Sequence, residues 1–485
     1  METVHLLTLG CPKNLVDSEL MLGALTEAGY EITTDPSSAQ VLIVNTCAFI
    51  EAAKKESISA ILEAAELKAK APGRRLVVTG CMAQRYGAEL RQEMPEIDIL
   101  VGTGNFLDLP KLLRRTESAS SSSARGGLRE PVPSSGAAHL LPYRGATRVI
   151  TGNFFSSYLK VSEGCNHQCA FCIIPKIRGV HESRPLADLV EEARRLVDGG
   201  MRELNLVAQD LTAYGRDLVP RSSLAQLLFA LNELENLKWI RLLYCYPNFI
   251  TDELLTAVAQ LPKVVKYIDM PLQHADDEIL RAMRRERSVD AVRRLLDRIR
   301  RRIPNVALRT SFIVGFPGET EQAFERLLNF VAEQRFDHVG VFTYSREEGT
   351  EAYDFAGQVP EAEKRRRRRQ LMQLQAGISA RRNQSFLGKE IEVLVESEIV
   401  GRRQRKQGRA WWQAPEIDGA VLLQGAAEPG EFIRARVKRT FTYDLLAETL
   451  DPDHLRGASN GKSRNGGKPQ EFHGRPPAAV ARYES

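Results

Sequence analysis

Ser157-Tyr158-Leu159-Lys160-Val161 runs within three residues into Gly164-Cys165-Asn166-His167-Gln168-Cys169-Ala170-Phe171-Cys172. An apolar run ending in a thiol-rich loop reads as a strand that delivers chemistry at its carboxyl end. Downstream, the apolar runs Leu204 to Val207, Ile240 to Tyr244, Tyr267 to Met270, Ala307 to Val314 and Val339 to Phe342 alternate with helical patterns such as Leu186 to Val197 and Ala291 to Arg301. Strands separated by helices predict a full or partial β/α barrel of the TIM type, whose sites sit in the loops after the strands.

Upstream the same alternation recurs on a smaller scale. Val4 to Leu9, Val41 to Val44 and Leu76 to Val78 are separated by helical patterns, and each is followed by a cysteine: Gly10-Cys11, Asn45-Thr46-Cys47 and Gly80-Cys81. In an open, doubly wound parallel sheet the carboxyl ends line one crevice, so the three thiols are expected to converge there. Taken alone, the same cysteines are also compatible with small buried residues, since free Cys packs as a hydrophobe.

The 485 residues imply two or three domains. The Ser-, Gly- and Pro-rich stretch 116–142 reads as a flexible linker, which divides an N-terminal unit, 1–115, from a core, 143–378. Short alternating runs within 379–450 (Ile391 to Val395, Ala420 to Leu423, Phe432 to Lys438) predict a small C-terminal β barrel. The stretch 451–485 has few apolar residues and reads as a disordered, dispensable tail. Hydrophobic residues at 43% and charged residues at 27% exclude a fibrous or wholly disordered chain. With 67 Lys+Arg against 62 Asp+Glu, the net charge of +5 permits a nucleic-acid or ribosomal partner without requiring one. No run approaches the ~20 apolar residues of a membrane span, and the reading is a soluble, cytoplasmic protein with no membrane partner. Seven cysteines, odd in number and unevenly spaced, favour metal or redox use over a disulfide framework.

Three thiolates within eight residues can hold three corners of one soft-metal centre. An iron-sulfur cluster and a zinc ion are both compatible with that set, with His167 as the nearby fourth ligand for zinc. The spacing, followed by Pro175 and Arg178-Gly179, departs from the paired C-x-x-C of zinc ribbons. Cys245 lies apart from both groups and reads as core packing.

The C-x-x-x-C-x-x-C loop resembles the signature of the radical S-adenosylmethionine superfamily. Together with Cys11, Cys47 and Cys81 it makes about residues 3 to 450 resemble the radical SAM methylthiotransferases. Within that family Gly10-Cys11-Pro12-Lys13-Asn14, Asn45-Thr46-Cys47-Ala48-Phe49-Ile50 and Met270-Pro271-Leu272-Gln273-His274-Ala275 look like the RimO branch, which modifies a ribosomal protein; the tRNA-modifying branch typically has Gln-Met in place of Pro12-Lys13. The resemblance implies two four-iron four-sulfur clusters. Cys165, Cys169 and Cys172 would hold the one whose open iron chelates S-adenosylmethionine, and Cys11, Cys47 and Cys81 the one that carries the sulfur. It further implies that S-adenosylmethionine serves as radical source and methyl donor. An external electron donor, a sulfur source and a small-subunit ribosomal protein, free or in the ribosome, are the implied partners. The product would be a methylthio group on the β carbon of an aspartate. The C-terminal barrel resembles a TRAM domain, OB-like in kind.

Other strand-end groups are expected near the cofactor. Gly315 and Gly318, in Phe312-Ile313-Val314-Gly315-Phe316-Pro317-Gly318-Glu319, would let backbone approach it, though a plain turn needs glycine equally. Gln209-Asp210 and Gln273-His274 also follow strands; Gln209 is taken as a cofactor contact, and no side chain is singled out as catalytic. Arg365 to Arg369 reads as a solvated helix face. Trp411 and Trp412 read as barrel packing for at least one of the pair, with base stacking as the alternative. On the barrel, Glu392, Glu396 and Glu398 stand beside Arg402, Arg403 and Arg409, a mixed surface suited to ribosomal protein or RNA. A tRNA methylthiotransferase and a non-enzymatic iron-sulfur carrier are the rival functions.

Overall fold

The computed structural model describes residues 1–120, 145–152, 154–285, 288–399 and 405–450. The expected tail, most of the expected linker, Arg402 and Arg403 lie outside them.

Five parallel strands, β1 (Thr3–Thr8), β2 (Glu31–Ile32), β3 (Val41–Thr46), β4 (Arg75–Gly80) and β5 (Ile99–Val101), form the first sheet in the order β2-β1-β3-β4-β5. Its central strand, β3, is buried at every position, as expected of a parallel strand covered on both faces. Helices Pro12–Glu27, Glu51–Ala69 and Cys81–Glu93 follow β1, β3 and β4.

The core is a six-stranded parallel sheet in the order β13-β12-β11-β10-β9-β6. Its strands are β6 (Ser156–Lys160), β9 (Glu203–Val207), β10 (Trp239–Leu242), β11 (Val264–Asp269), β12 (Ala307–Val314) and β13 (His338–Thr343), while β7 (Ser162–Glu163) and β8 (Glu182–Ser183) make a two-stranded ribbon beside it. β6 and β13 each pair on one side only, so the barrel is partial. Its helices are amphipathic in the usual way. Val292, Leu295, Leu296 and Ile299 of Val289–Arg302 are buried at 3.6-residue spacing, and Ser288 caps the helix by accepting from the Ala291 amide at 3.2 Å.

The third unit is a closed barrel, β14 (Glu390–Glu398), β15 (Arg405–Arg409), β16 (Val421–Gln424), β18 (Leu445–Thr449) and β17 (Phe432–Thr440), in that order around the circumference. It docks against the amino-terminal ends of the core strands. Arg409 pairs with Glu203, the first residue of β9, and also with Glu396. Arg241 donates to Glu203 at 3.0 Å and to the Trp411 carbonyl at 2.7 Å. Tyr267 donates to Asp418, and Phe432 meets Trp239 edge to face. Trp412 is buried and stacks on Phe386 at 4.3 Å, so it is packing, as expected of one of the pair.

Helix Glu361–Gln384 links core and barrel, and here the reading of Arg365 to Arg369 as a solvated face holds for Arg365 and Arg369, which are exposed, and needs correction at Arg367 and Arg368. Arg367 is buried, pairing with Glu363 and donating to the Glu319 carbonyl at 2.9 Å, while Arg368 donates to the Val341 carbonyl. A charge run signals exposure only until tertiary carboxylates and carbonyls meet it. Among the described residues no helix is long and apolar enough to cross a membrane.

Candidate functional site: two facing cysteine triads

Cys11 is the N-cap of the first helix, Cys47 directly follows β3, and Cys81 opens the third helix. The strand ends bring the three together. Gly10, at φ +89°, lies so close that a Cβ there would stand 2.7 Å from Cys47 Cβ and 3.0 Å from its Sγ, so only glycine fits. Asn14 ties the group: its Nδ2 donates to the Leu9 and Thr46 carbonyls, both at 2.9 Å, and its Oδ1 accepts from Cys81 Sγ at 3.8 Å and from Arg178. Burial, then the neighbouring thiols, pushes Cys47 up to about 12. Burial also raises Cys81 against the pull of Arg178. Cys11 is the exception, because although burial opposes it, Lys13 and Arg178 hold it below the usual thiol range. The helix N-termini at Cys11 and Cys81 favour thiolate as well.

The second triad sits on the loop between β7 and the short helix Ile174–Arg178. The Cys165 amide donates to the Gly179 carbonyl at 3.1 Å, the Ala170 amide to Met283 at 3.1 Å, and Arg285 donates to Cys169 Sγ at 3.7 Å. Burial pushes Cys165 up to about 11 and Cys172 to about 12. His167 is committed elsewhere: its Nε2 lies 2.7 Å from Asp210, and its ring stacks on Tyr246 at 3.7 Å. It is therefore not placed as a fourth zinc ligand. No three His, Cys, Asp or Glu side chains among the described residues converge as a single ion requires. Two sets of three soft donors, each with an arginine alongside, suit iron-sulfur clusters, in which the thiolates bind separate irons.

One set of buried charges links the regions that carry the two triads. Helix Ile174–Arg178, which follows Cys172, sends Arg178 into the N-terminal crevice, where it meets Asn14 and lies 3.1 Å from Asp17. Arg178 also pairs with Glu163 at 2.9 Å, and Lys160 pairs with both Asp17 and Glu163. All four charged groups are buried. They pair two by two, as burial demands. A second seam joins Arg85 and Lys54 to Glu347 at 2.9 and 3.1 Å. The N-terminal unit thus covers the carboxyl end of the core sheet, and the barrel sits at the other end.

The remaining expected residues divide. Gln209, after β9, donates to Glu163 at 2.8 Å and leaves its Oε1 buried without a partner. The Gly315 amide donates to Glu319, and a Cβ on Gly315 would meet Lys364, whereas the Cα of Gly318 faces open space. Asp210 caps the turn Leu211–Ala213. His274 is buried beside Glu319, Nε2 to Oε1 3.7 Å. Cys245 is buried in the core, as expected. Sequence reasoning missed the Asp17-Lys160-Glu163-Arg178 group, and also Tyr244 and Tyr246. One signal was available: Lys13, Asn14, Asp17 and Ser18 form a polar stripe at helical spacing on the buried face of Pro12–Glu27.

Residues 3–102 match the Uncharacterized protein family UPF0004, residues 159–331 the Radical SAM superfamily, and residues 387–450 the TRAM domain. Ribosomal protein uS12 methylthiotransferase RimO of Anaeromyxobacter sp. (strain K) is 48% identical over 456 residues, 94% of this chain and 95% of its own. The proteins of the same name from Citrifermentans bemidjiense and Geobacter sulfurreducens are 44% and 46% identical over 93% of this chain and 99% of theirs. Among solved structures, the radical S-adenosylmethionine methyltransferase TsrM from Kitasatospora setae superposes with a TM-score of 0.50 at 16% identity, over 71% of this chain and 75% of its own, a likeness of fold.

Proposed function

The chain belongs to the RimO family of ribosomal protein uS12 methylthiotransferases, and from that premise we propose how its residues divide the work. It is a radical S-adenosylmethionine enzyme that inserts a methylthio group at the β carbon of an aspartate of uS12, using S-adenosylmethionine and two four-iron clusters. When bound, these groups supply hydrogen abstraction from an unactivated carbon and the sulfur that replaces that hydrogen. The reaction needs an external reductant; a separate sulfur source and a cytoplasmic location are part of the proposal.

In this reading Cys165, Cys169 and Cys172 hold the cluster that meets S-adenosylmethionine, and Cys11, Cys47 and Cys81 hold the cluster that carries sulfur. Gln209, with its unpartnered buried Oε1, and the open backbone at Gly318 face S-adenosylmethionine. Both amides are taken, that of Gly315 by Glu319 and that of Gly318 by the Gly357 carbonyl at 2.9 Å, so the difference is one of space: Lys364 fills the side of Gly315, and Gly318 leaves its side open. The functional units are 1–115 for sulfur donation, 143–378 for radical chemistry and 379–450 for the barrel. The observation that carries the division is Arg178, which spans from the loop of one triad to Asn14 and Cys81 of the other.

Replacing Cys165, Cys169 and Cys172 by Ala should remove about half the iron and all reductive cleavage of S-adenosylmethionine. The Cys11, Cys47 and Cys81 triple variant should keep that cleavage and lose methylthiolation of uS12. Deoxyadenosine from the first variant, or methylthiolated uS12 from the second, would overturn the assignment.

A further inference from the structure

Four lysines are buried among the described residues, and three of them are paired: Lys160 with Asp17 and Glu163, Lys364 with Glu361, and Lys406 with Glu398. Lys13 is different. It is 8% exposed, its Nζ lies 3.7 Å from the centroid of the Tyr244 ring, and among the described residues its ammonium makes no ion pair or hydrogen bond; the anionic groups acting on it are Cys11 and, more weakly, Glu163. A buried cation seated on an aromatic face, with no carboxylate in direct contact, gives up most of its hydration for little return. Such an arrangement becomes favourable when an anion arrives.

Its position says which anion. Lys13 is two residues from Cys11, at the start of the helix that Cys11 caps. Tyr244 stands just past the carboxyl end of β10 with φ +63°, a left-handed conformation uncommon for a bulky non-glycine residue. Two residues on, Tyr246 stacks on His167 in the loop of the other triad. The ammonium therefore lies at the seam between sulfur donor and radical source, where the substrate carbon has to enter. In an aspartate side chain the β carbon bears the carboxylate directly.

We propose that Lys13, seated on Tyr244, receives the carboxylate of the substrate aspartate and so selects aspartate for modification. This rests on the family reading above. It also gives physical content to Pro12-Lys13: a nucleoside substrate carries no carboxylate at its reacting carbon, and a site for one has no use for the cation.

The test is binding of recombinant uS12 to the two-cluster protein without S-adenosylmethionine, so that nothing turns over, comparing uS12 with the variant whose modified aspartate is Asn. Wild type should favour the aspartate form by about 10- to 100-fold, the range for a charge-assisted hydrogen bond. Lys13→Gln should bind both forms alike, and Lys13→Arg should restore part of the preference. Equal binding of both forms by wild type that still methylthiolates uS12 would overturn the role of Lys13 and leave the family reading intact. A Lys13→Gln protein that loses iron but keeps the wild-type preference would make Lys13 a counter-charge for the thiolates and equally overturn it. Failure of wild type to bind or modify either form would sink both readings.

Discussion

Replacing Arg178 by Met should loosen the N-terminal unit from the core without disturbing either sheet. The guanidinium is 1% exposed and stands 3.1 Å from Asp17 and 2.9 Å from Glu163, with Lys160 as the second cation of a balanced set of four. Met fills comparable volume but leaves two buried carboxylates sharing one ammonium. Breaking a buried pair by removing one partner costs about 3–5 kcal/mol. Because Asp17 belongs to the N-terminal unit and Glu163 and Lys160 to the core, that cost falls on the contact between them. At about 1.4 kcal/mol per decade, the undocked population should rise at least about 100-fold. Anaerobic hydrogen exchange reads this directly: amides in the first turns of Pro12–Glu27 should lose about 3 kcal/mol of protection, while those of β14 to β18 stay as they are. Arg178→Lys, with one ammonium in place of a two-armed fork, should fall between. A loss below about 1 kcal/mol, or one spread evenly into the barrel, would refute the idea that these charges hold the units together.

Burial opposes it, but Arg409 and Arg241 hold the Glu203 carboxyl down to about 2. For a depressed acid the stabilisation is complete above the unfolded value near 4.5 and is lost as pH falls toward 2. From pH 5 to 2.5 the free energy of unfolding, read by denaturant titration, should fall on the order of 3 kcal/mol further in wild type than in Glu203→Gln; parallel pH dependences would count against it. In cluster-free protein at pH 8, iodoacetamide should label Cys11 first, since Cys47 and Cys172, near 12, carry about one thiolate in ten thousand; equal rates at Cys11 and Cys47 would contradict the local electrostatics. Arg285→Met removes the cation beside Cys169, so the potential of that cluster should become more negative by on the order of tens of millivolts, read by a spectroscopic redox titration; a positive shift would be the wrong sign.

The strands and the cysteines were legible because both leave local marks. Each of β1, β3 and β4 is an apolar run closed by Cys, and the six core strands appear as runs between amphipathic helices. β2 has two residues and β5 three, too short to show a period. The charges that join the units were hidden for another reason. Asp17 and Lys160 are 143 positions apart, and Glu203 and Arg409 are 206 apart; in a sequence each looks like an ordinary surface charge. Arg367 was misread the same way. Lys13 was noticed as part of a motif, but its seat on the ring of Tyr244, with no carboxylate in ion-pair contact, shows only in the fold.

The barrel's position beneath the core strands bears on how the chain is made. Synthesis runs from the amino terminus, so the radical unit leaves the ribosome before Arg409, Trp412 and Asp418 exist. Until they arrive, Glu203 has Arg241 as its one cation and Ser156 as a donor, Arg309 lacks Asp418, and Trp239 and Tyr267 have no cover from below. A nascent core therefore exposes aromatic surface around an uncovered ion pair, and exposed apolar surface invites aggregation. The final 60 or so described residues complete its floor, and a chain cut short at the barrel is an unfinished core as much as an enzyme lacking a module.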